Sequence, residues 1–384
     1  MAWMIGIDEA GYGPNLGPLA VAASAWWVEE EGKTEGGRRR GEGHSSNTAV
    51  LAAVGKPRSA TCLYRRLKKI VSRSACEKKL AIADSKQLYK PGLGLRQLER
   101  GVLVGLRAVG EPSADKRRPL LRNGARSVPA PGEKSEAKTG GINPPARWGA
   151  IISRHAPTLP CYADFDCELP IDATADEVDV LASRFDVGCQ SAGVKLVDLR
   201  VRLVYPREFN ELTNHFGTKG AALSHISIGL LRATMDGIAE HSPDLRPGLA
   251  CGSGLACGVQ VVCDKHGGRN RYAALLQHHF PEQWIDTLAE SGPASRYAWG
   301  PSESRVEVCF RVKGEAELPV ALASMTAKYH RELAMRAFNH FWCGRVPGLR
   351  PTAGYPGDSK RFKVAITPLQ NEMGIEDDCL WRWR

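Results

Sequence analysis

The stretch Met4-Ile5-Gly6-Ile7-Asp8-Glu9-Ala10-Gly11-Tyr12-Gly13-Pro14 decides how the rest of the chain is read. Met4 to Asp8 is apolar enough for a buried strand, and the glycines and proline that follow end it. Two carboxylates at the end of a buried strand are costly to desolvate unless a cation or hydrogen-bond donors compensate them. Strand side chains alternate, so Asp8 and Glu9 converge only if the strand bends or stops there. Gly11-Tyr12-Gly13 permits that, and the bare N–H groups of such a turn can approach a phosphate. The plainer alternative is an exposed pair of acids at a strand end.

Working outward, Pro18 to Val28 reads as a second strand joined to the first by a Gly/Pro-rich turn. Leu196 to Tyr205 alternates apolar and charged residues, the pattern of a half-buried strand. Val259 to Asp264 is a short buried strand that also ends in an acid and runs into Lys265-His266-Gly267-Gly268. Ligands gather beyond strand ends in open α/β sheets, although an Asp capping a turn and a loop histidine explain Asp264 and His266 equally well. Val306, Val308, Phe310 and Val312 mark a further strand. His225 to Glu240 places Ile228, Leu231, Met235 and Ile238 on one helical face, and Leu318 to Trp342 has the length of a long helix. The pattern is mixed α/β. On the long helix Ser324, Lys328 and Glu332 share one stripe, which a solvated polar face would explain by itself. Taken together, Asp8, Glu9, Asp264 and Glu332 supply oxygen ligands that suit Mg²⁺ or Mn²⁺ better than zinc.

The chain has 384 residues, 43% hydrophobic and 24% charged, the composition of a globular protein rather than a disordered one. Its net charge of +10 favours polyanionic partners, nucleic acid first and an anionic membrane surface second. The longest apolar run, Leu19 to Val28, is too short to span a bilayer. No basic n-region precedes an apolar stretch at the N-terminus, so a cytoplasmic protein is expected. Among eleven cysteines there is no Cys-x2-Cys pair, and Cys251, Cys257 and Cys263 read as ordinary reduced thiols. Two tracts rich in Gly, charge and Pro, about 29–60 and 110–146, read as inserts within a single domain spanning 1–384, and Pro247 to Gly258 reads as a loop.

In order, these segments resemble the type 2 ribonuclease H family, ribonucleases HII and HIII. GIDEAGYGPNLGPLAVAA, residues 6–23, is similar to that family's opening block, and Asp84-Ser85-Lys86-Gln87-Leu88 to its Asp-Ser-Lys-x-Leu loop. Ser227 to Gly237 resembles the helix before the third acid, Val261-Val262-Cys263-Asp264 the third acidic strand, and Val312-Lys313-Gly314 the Val-Lys-Gly step. Ala323-Ser324-Met325-Thr326-Ala327-Lys328 is similar to the Ala-Ser-Ile-x-Ala-Lys helix, and Gly354-Tyr355 falls where the family has Gly-Tyr-Gly. These blocks cover about a third of the chain.

The resemblance implies a ribonuclease H-like fold, a mixed five-stranded sheet flanked by helices with the acids clustered where central strands end. It implies hydrolysis of the RNA strand of an RNA·DNA hybrid, with Asp8, Glu9, Asp264 and Glu332 holding one or two Mg²⁺ or Mn²⁺ ions. Gly11, Tyr12, Gly13, Lys86, Lys313, Ser324, Lys328 and Tyr355 are the implied nucleic-acid-binding positions. No membrane and no obligate protein partner is expected. Two positions depart from ribonuclease HII: Tyr12 replaces the Arg of Gly-Arg-Gly, and Glu332 replaces an Asp, as in the type HIII pattern. The rival readings are a nuclease of this fold acting on another nucleic-acid structure, and a nucleic-acid-binding homologue without catalysis.

Overall fold

A computed structural model describes residues 2–29, 62–90, 92–110, 147, 159–163, 165–241 and 258–383. Both tracts read as inserts, and most of the 247–258 loop, lie outside the described residues. Leaving aside the four-residue helices Leu63–Arg66, Pro160–Ala163 and Asp377–Leu380, the elements in chain order are strands β1 (Ala2–Ala10) and β2 (Leu19–Val28), and a two-stranded pair, β3 (Val71–Ser72) with β4 (Leu80–Ala81). There follow the short helix α1 (Ser85–Leu88), then α2 (Arg96–Val109), α3 (Ala175–Ser191), β5 (Val194–Val204), α4 (Pro206–Phe216) and α5 (Lys219–His241). The remainder is β6 (Gly258–Asp264), α6 (Ala273–His279), β7 (Asp286–Glu290), β8 (Ala294–Trp299), β9 (Val306–Arg311), α7 (Leu318–Arg345) and α8 (Pro356–Glu372).

The main sheet is mixed, in the order β5-β2-β1-β6-β9-β8-β7. β1 pairs antiparallel with β2 and parallel with β6, while β5 pairs antiparallel with β2 and β9 parallel with β6. Those five are the strands read from the sequence. The expected mixed sheet flanked by helices is therefore observed, but with seven strands rather than five: the antiparallel hairpin β7–β8 extends it beyond β9. β7 reads Asp-Thr-Leu-Ala-Glu and is largely exposed, an edge strand with a register shift between Thr287 and Ala289. Such a strand has no apolar alternation to show in the sequence.

Each face of the sheet buries its own core. Trp3, Ile5 and Ile7 of β1 pack with Ile226 and Leu231 of α5 and Leu276 of α6, whereas Met4 packs on the opposite side with Leu322, Met325 and Leu333 of α7. Fully burying a side chain of this size contributes about 1.5–3 kcal/mol. α7 lies directly on β1 because residue 6 is glycine: a Cβ there would sit 2.1 Å from the Pro319 carbonyl carbon. Ser24 Oγ donates to Pro319 O (2.7 Å) and accepts from Trp26 Nε1 (2.9 Å), fixing the start of the helix over β1 and β2. The stripe that could have been solvated is not, since Ser324 is only 4% exposed. Among the described residues no helix is long and apolar enough to cross a membrane.

Candidate active site

Register brings the first pair of acids together. β1 and β6 run parallel with Ile7 opposite Cys263, so the next residues, Asp8 and Asp264, stand side by side where that pairing ends; β6 stops at Asp264, whereas β1 neither stops nor bends at Asp8 and runs on to Ala10 against β2. Alternation puts both on the α7 side, with Met4, and turns Glu9 to the face of Ile5 and Ile7. The Glu9 N–H donates to Asp8 Oδ1 (2.8 Å), and the Gly314 N–H, in the turn after β9, donates to Asp264 Oδ1 (2.9 Å). Ser324 hydrogen-bonds Asp8, and its Oγ is 3.1 Å from Ser85 Oγ. Asp84 positions Ser85 by capping α1, accepting from the Lys86 N–H (3.0 Å).

The site carries more negative charge than its donors neutralise. Burial pushes the Asp8 carboxyl up to about 7, opposed by the Ser324 hydrogen bond and reinforced by the charges of Asp264 and Glu315. Glu9 is raised well above the ordinary carboxylate range by burial and then by Asp8 and Asp264, with Lys86 acting the other way. For Lys86 burial works to lower the pKa, but Asp84, Asp8, Glu315 and Asp264 outweigh it and the net shift is upward. Buried carboxyls that resist ionisation for want of a counter-charge, with hard oxygen donors, fit a divalent cation such as Mg²⁺ or Mn²⁺. Their oxygens are spread more widely than the two sets of three ligand atoms within 4.8 Å that the described residues contain elsewhere.

Glu332 stands apart from this cluster. It lies eight residues beyond Ser324 on α7, about 12 Å of helix rise. Tyr89 Oη donates to its Oε2 (2.8 Å), Lys328 Nζ is 2.5 Å from its Oε1, and Arg331 Nη1 is 3.7 Å away. Besides Asp264, the acid whose charge raises Asp8 is Glu315, in the single turn Gly314–Ala316. Sequence reading passed over it, although it follows the Val312-Lys313-Gly314 step directly.

The positions expected to touch nucleic acid fall around these acids. Lys313 is exposed at the rim, in the left-handed backbone region (φ 59°), next to the glycine that binds Asp264. Lys328 is occupied by Glu332 and by the Tyr89 ring, 4.6 Å below its Nζ. Gly11 has φ 89°, and a Cβ there would lie 2.2 Å from Arg331 Nε. Its carbonyl accepts from Arg382 Nη2 (2.6 Å), a fully buried guanidinium that also holds Pro14 O. Gly13 is exposed beside the Tyr355 ring, itself 53% exposed. Tyr12 lies between charges, with Glu9 raising and Arg269 lowering its hydroxyl pKa behind the larger upward effect of burial.

Arg269 and Arg271 are functional candidates the sequence reading missed. With Tyr12, His266, Gly267 and Gly268 they line an open cleft of about 560 Å³. Lys265 fastens their loop, its Nζ donating to Asn270 Oδ1 (2.5 Å) and Ser291 O (2.6 Å), and Ser295 Oγ donates to Asn270 O (2.6 Å). The signal available was the Gly267-Gly268-Arg269-Asn270-Arg271 run, directly beyond an acidic strand end.

Comparison with known proteins gives no matching family model and no matching curated protein. Among solved structures, the chain is similar to the ribonuclease HII of a PCNA complex from Archaeoglobus fulgidus. The identity is 13%, with 99% of this chain and 94% of that one covered, and the TM-score is 0.36. It is similar to ribonuclease H2 from Pyrococcus horikoshii at 14% identity, 98% and 92% coverage and TM-score 0.38. Ribonuclease H3 from Aquifex aeolicus matches at 12% identity, covering 99% of this chain and 71% of that one, with TM-score 0.32. Likeness at this level carries no argument about activity, which rests on the chemistry of the site itself.

Proposed function

We propose that the chain is a divalent-metal-dependent endonuclease that hydrolyses the RNA strand of RNA·DNA hybrids, leaving 5′-phosphate and 3′-hydroxyl ends. The observation that carries this reading is the side-by-side placement of Asp8 and Asp264 where the parallel pairing of β1 with β6 ends, with Glu9 adjacent and too little positive charge to balance them. Asp8, Glu9 and Asp264 would hold Mg²⁺ or Mn²⁺, with Glu332 as the outlying fourth carboxylate. When bound, the metal supplies charge stabilisation at the phosphate and a more acidic attacking water. Ser324 orients Asp8, and the Gly314 N–H orients Asp264. Lys86, Lys313, Arg269 and Arg271 offer charge to the phosphate backbone, which positions a strand without reading its bases. Gly11 and Gly13 allow backbone approach to ribose, where 2′-hydroxyl contacts separate RNA from DNA, and Tyr355 borders the same rim. A cytoplasmic location and action without an obligate protein partner belong to the same proposal.

The test is cleavage of a labelled RNA·DNA hybrid in Mg²⁺ or Mn²⁺, beside duplex DNA and a duplex with one embedded ribonucleotide. Asp8→Asn keeps the side-chain shape but removes charge worth several kcal/mol of transition-state stabilisation, so kcat should fall by about a thousandfold or more while hybrid binding survives. Near-wild-type kcat in Asp8→Asn would remove the metal site from consideration. Cleavage confined to a DNA substrate would assign the site to a different nuclease, and binding without cleavage to a non-catalytic homologue.

A further inference from the structure

A second cluster of ligating side chains lies on the other face of the sheet. His225 is on α5, and His278 and His279 are the last two residues of α6. One ligating nitrogen from each lies within 4.8 Å of the other two, and His225 Nδ1 is 3.1 Å from His279 Nε2. Nitrogens bound tetrahedrally at about 2.0–2.1 Å from one zinc ion are separated by roughly 3.3 Å, so the cluster needs little movement to close on a cation. The Phe216 ring, at the end of α4, stacks on His225 at 3.7 Å and 11° and fixes its plane. Arg232 braces the opposite side, donating from Nη1 to His279 O (3.3 Å) and to Glu282 Oε1 (2.6 Å).

We propose that His225, His278 and His279 bind one borderline transition-metal cation, Zn²⁺ foremost, at a site separate from the carboxylates. Imidazole donors select zinc, copper or nickel over Mg²⁺, so the two sites differ in the metal they take. Ligation requires neutral imidazole. Burial holds His225 down to about 4, aided by the charges of His278, Arg269 and His215, and holds His279 down to about 4, aided by His225, His278 and Arg232. His278 is exposed, which gives the cation an entry path and leaves a coordination position open to solvent. The bound ion would clasp α6 to α5.

The experiment uses the full chain stripped with chelator and returned to Mg²⁺, so that the carboxylates are not a sink for zinc. Calorimetric titration with Zn²⁺ should show one tight equivalent and a rise in Tm, and Co²⁺ should give the visible absorption of a low-coordinate imidazole site. His278→Ala, at an exposed position, should keep the metal-free Tm but lose at least about tenfold in Zn²⁺ affinity together with the metal-induced rise. Asp8→Asn should retain both. Equal Zn²⁺ affinity in wild type and His278→Ala would overturn the proposal and leave His225 and His279 as a hydrogen-bonded pair. Loss of the zinc equivalent in Asp8→Asn but not in His278→Ala would overturn it by placing the ion among the carboxylates.

Discussion

Tyr12 feels the charges of both Glu9 and Arg269 and shares a cleft with Arg269, so positive charge borders the turn although residue 12 has none. On the proposed function the uncharged side chain at the centre of the turn, where ribonuclease HII has an Arg, favours a preference for stretches of RNA over a lone ribonucleotide in DNA. Tyr12→Arg should shift the kcat/KM ratio towards the single-ribonucleotide duplex; no shift, or a wild type that cleaves that duplex as well as the hybrid, would refute the account. His266 makes a separate prediction. It is buried, with Nδ1 3.1 Å from Ser224 Oγ, and burial, then Arg269, lowers its pKa to about 3. The unfolded chain protonates this histidine near pH 6.5 and the folded one does not, so stability present above about pH 6.5 drains away as pH falls towards 3. The decline in Tm from pH 7 to pH 4.5 should be shallower in His266→Gln than in wild type. Of the residues at the site, Asp8 and Asp264 were legible because each ends a buried apolar run. Glu315, Arg269 and Arg271 lie in turns whose path no periodicity records, and one helical stripe does not show how far along α7 Glu332 stands from Ser324.

The decisive contact between elements is that of α7 on β1. Gly6 admits the backbone of Pro319, and five residues further along the same helix Ser324 reaches Asp8. Gly6→Ala places a Cβ 2.1 Å from the Pro319 carbonyl carbon, and backbone cannot yield as a flexible side chain does. A stability loss on the order of 1–3 kcal/mol is expected, read as a lower midpoint in denaturant, with reduced kcat as Ser324 moves. An unchanged midpoint would mean that the helix is not held by this contact. The strands β1, β2, β5, β6 and β9 and the helices α5 and α7 could be read from the chain, since each buries a periodic apolar face or, as β2 does, a continuous apolar run. The hairpin β7–β8 could not: its outer strand is polar and exposed, and β8, although it buries Tyr297 and Trp299, is six residues long with Ser295 and Arg296 interrupting its apolar pattern.

Over the whole molecule, the tracts at about 29–60 and 110–146 are proposed to be inserts in one domain, on composition that buries too little apolar surface to offset ordering. Removing both should leave Tm and kcat little changed while weakening hybrid binding at low salt, where their Lys and Arg matter most. A deletion variant that fails to fold would show a structural element where composition suggests none. Sheet, layers and the acidic strand ends were legible at this scale because they follow from short-range pattern. The tie between Arg382 and the turn at Gly11 was not, since it joins positions 371 residues apart. That tie sets an order in time. A ribosome delivers Gly11 to Pro14 early and Arg382 some hundreds of residues later, and domains settle as their parts emerge. Asp264 and Ser324 join Asp8 only in the later part of that interval, and between Ser324 and Arg382 the acids can be assembled while the turn beside them has no clamp, so the newborn chain completes its chemistry before it can grip anything with it.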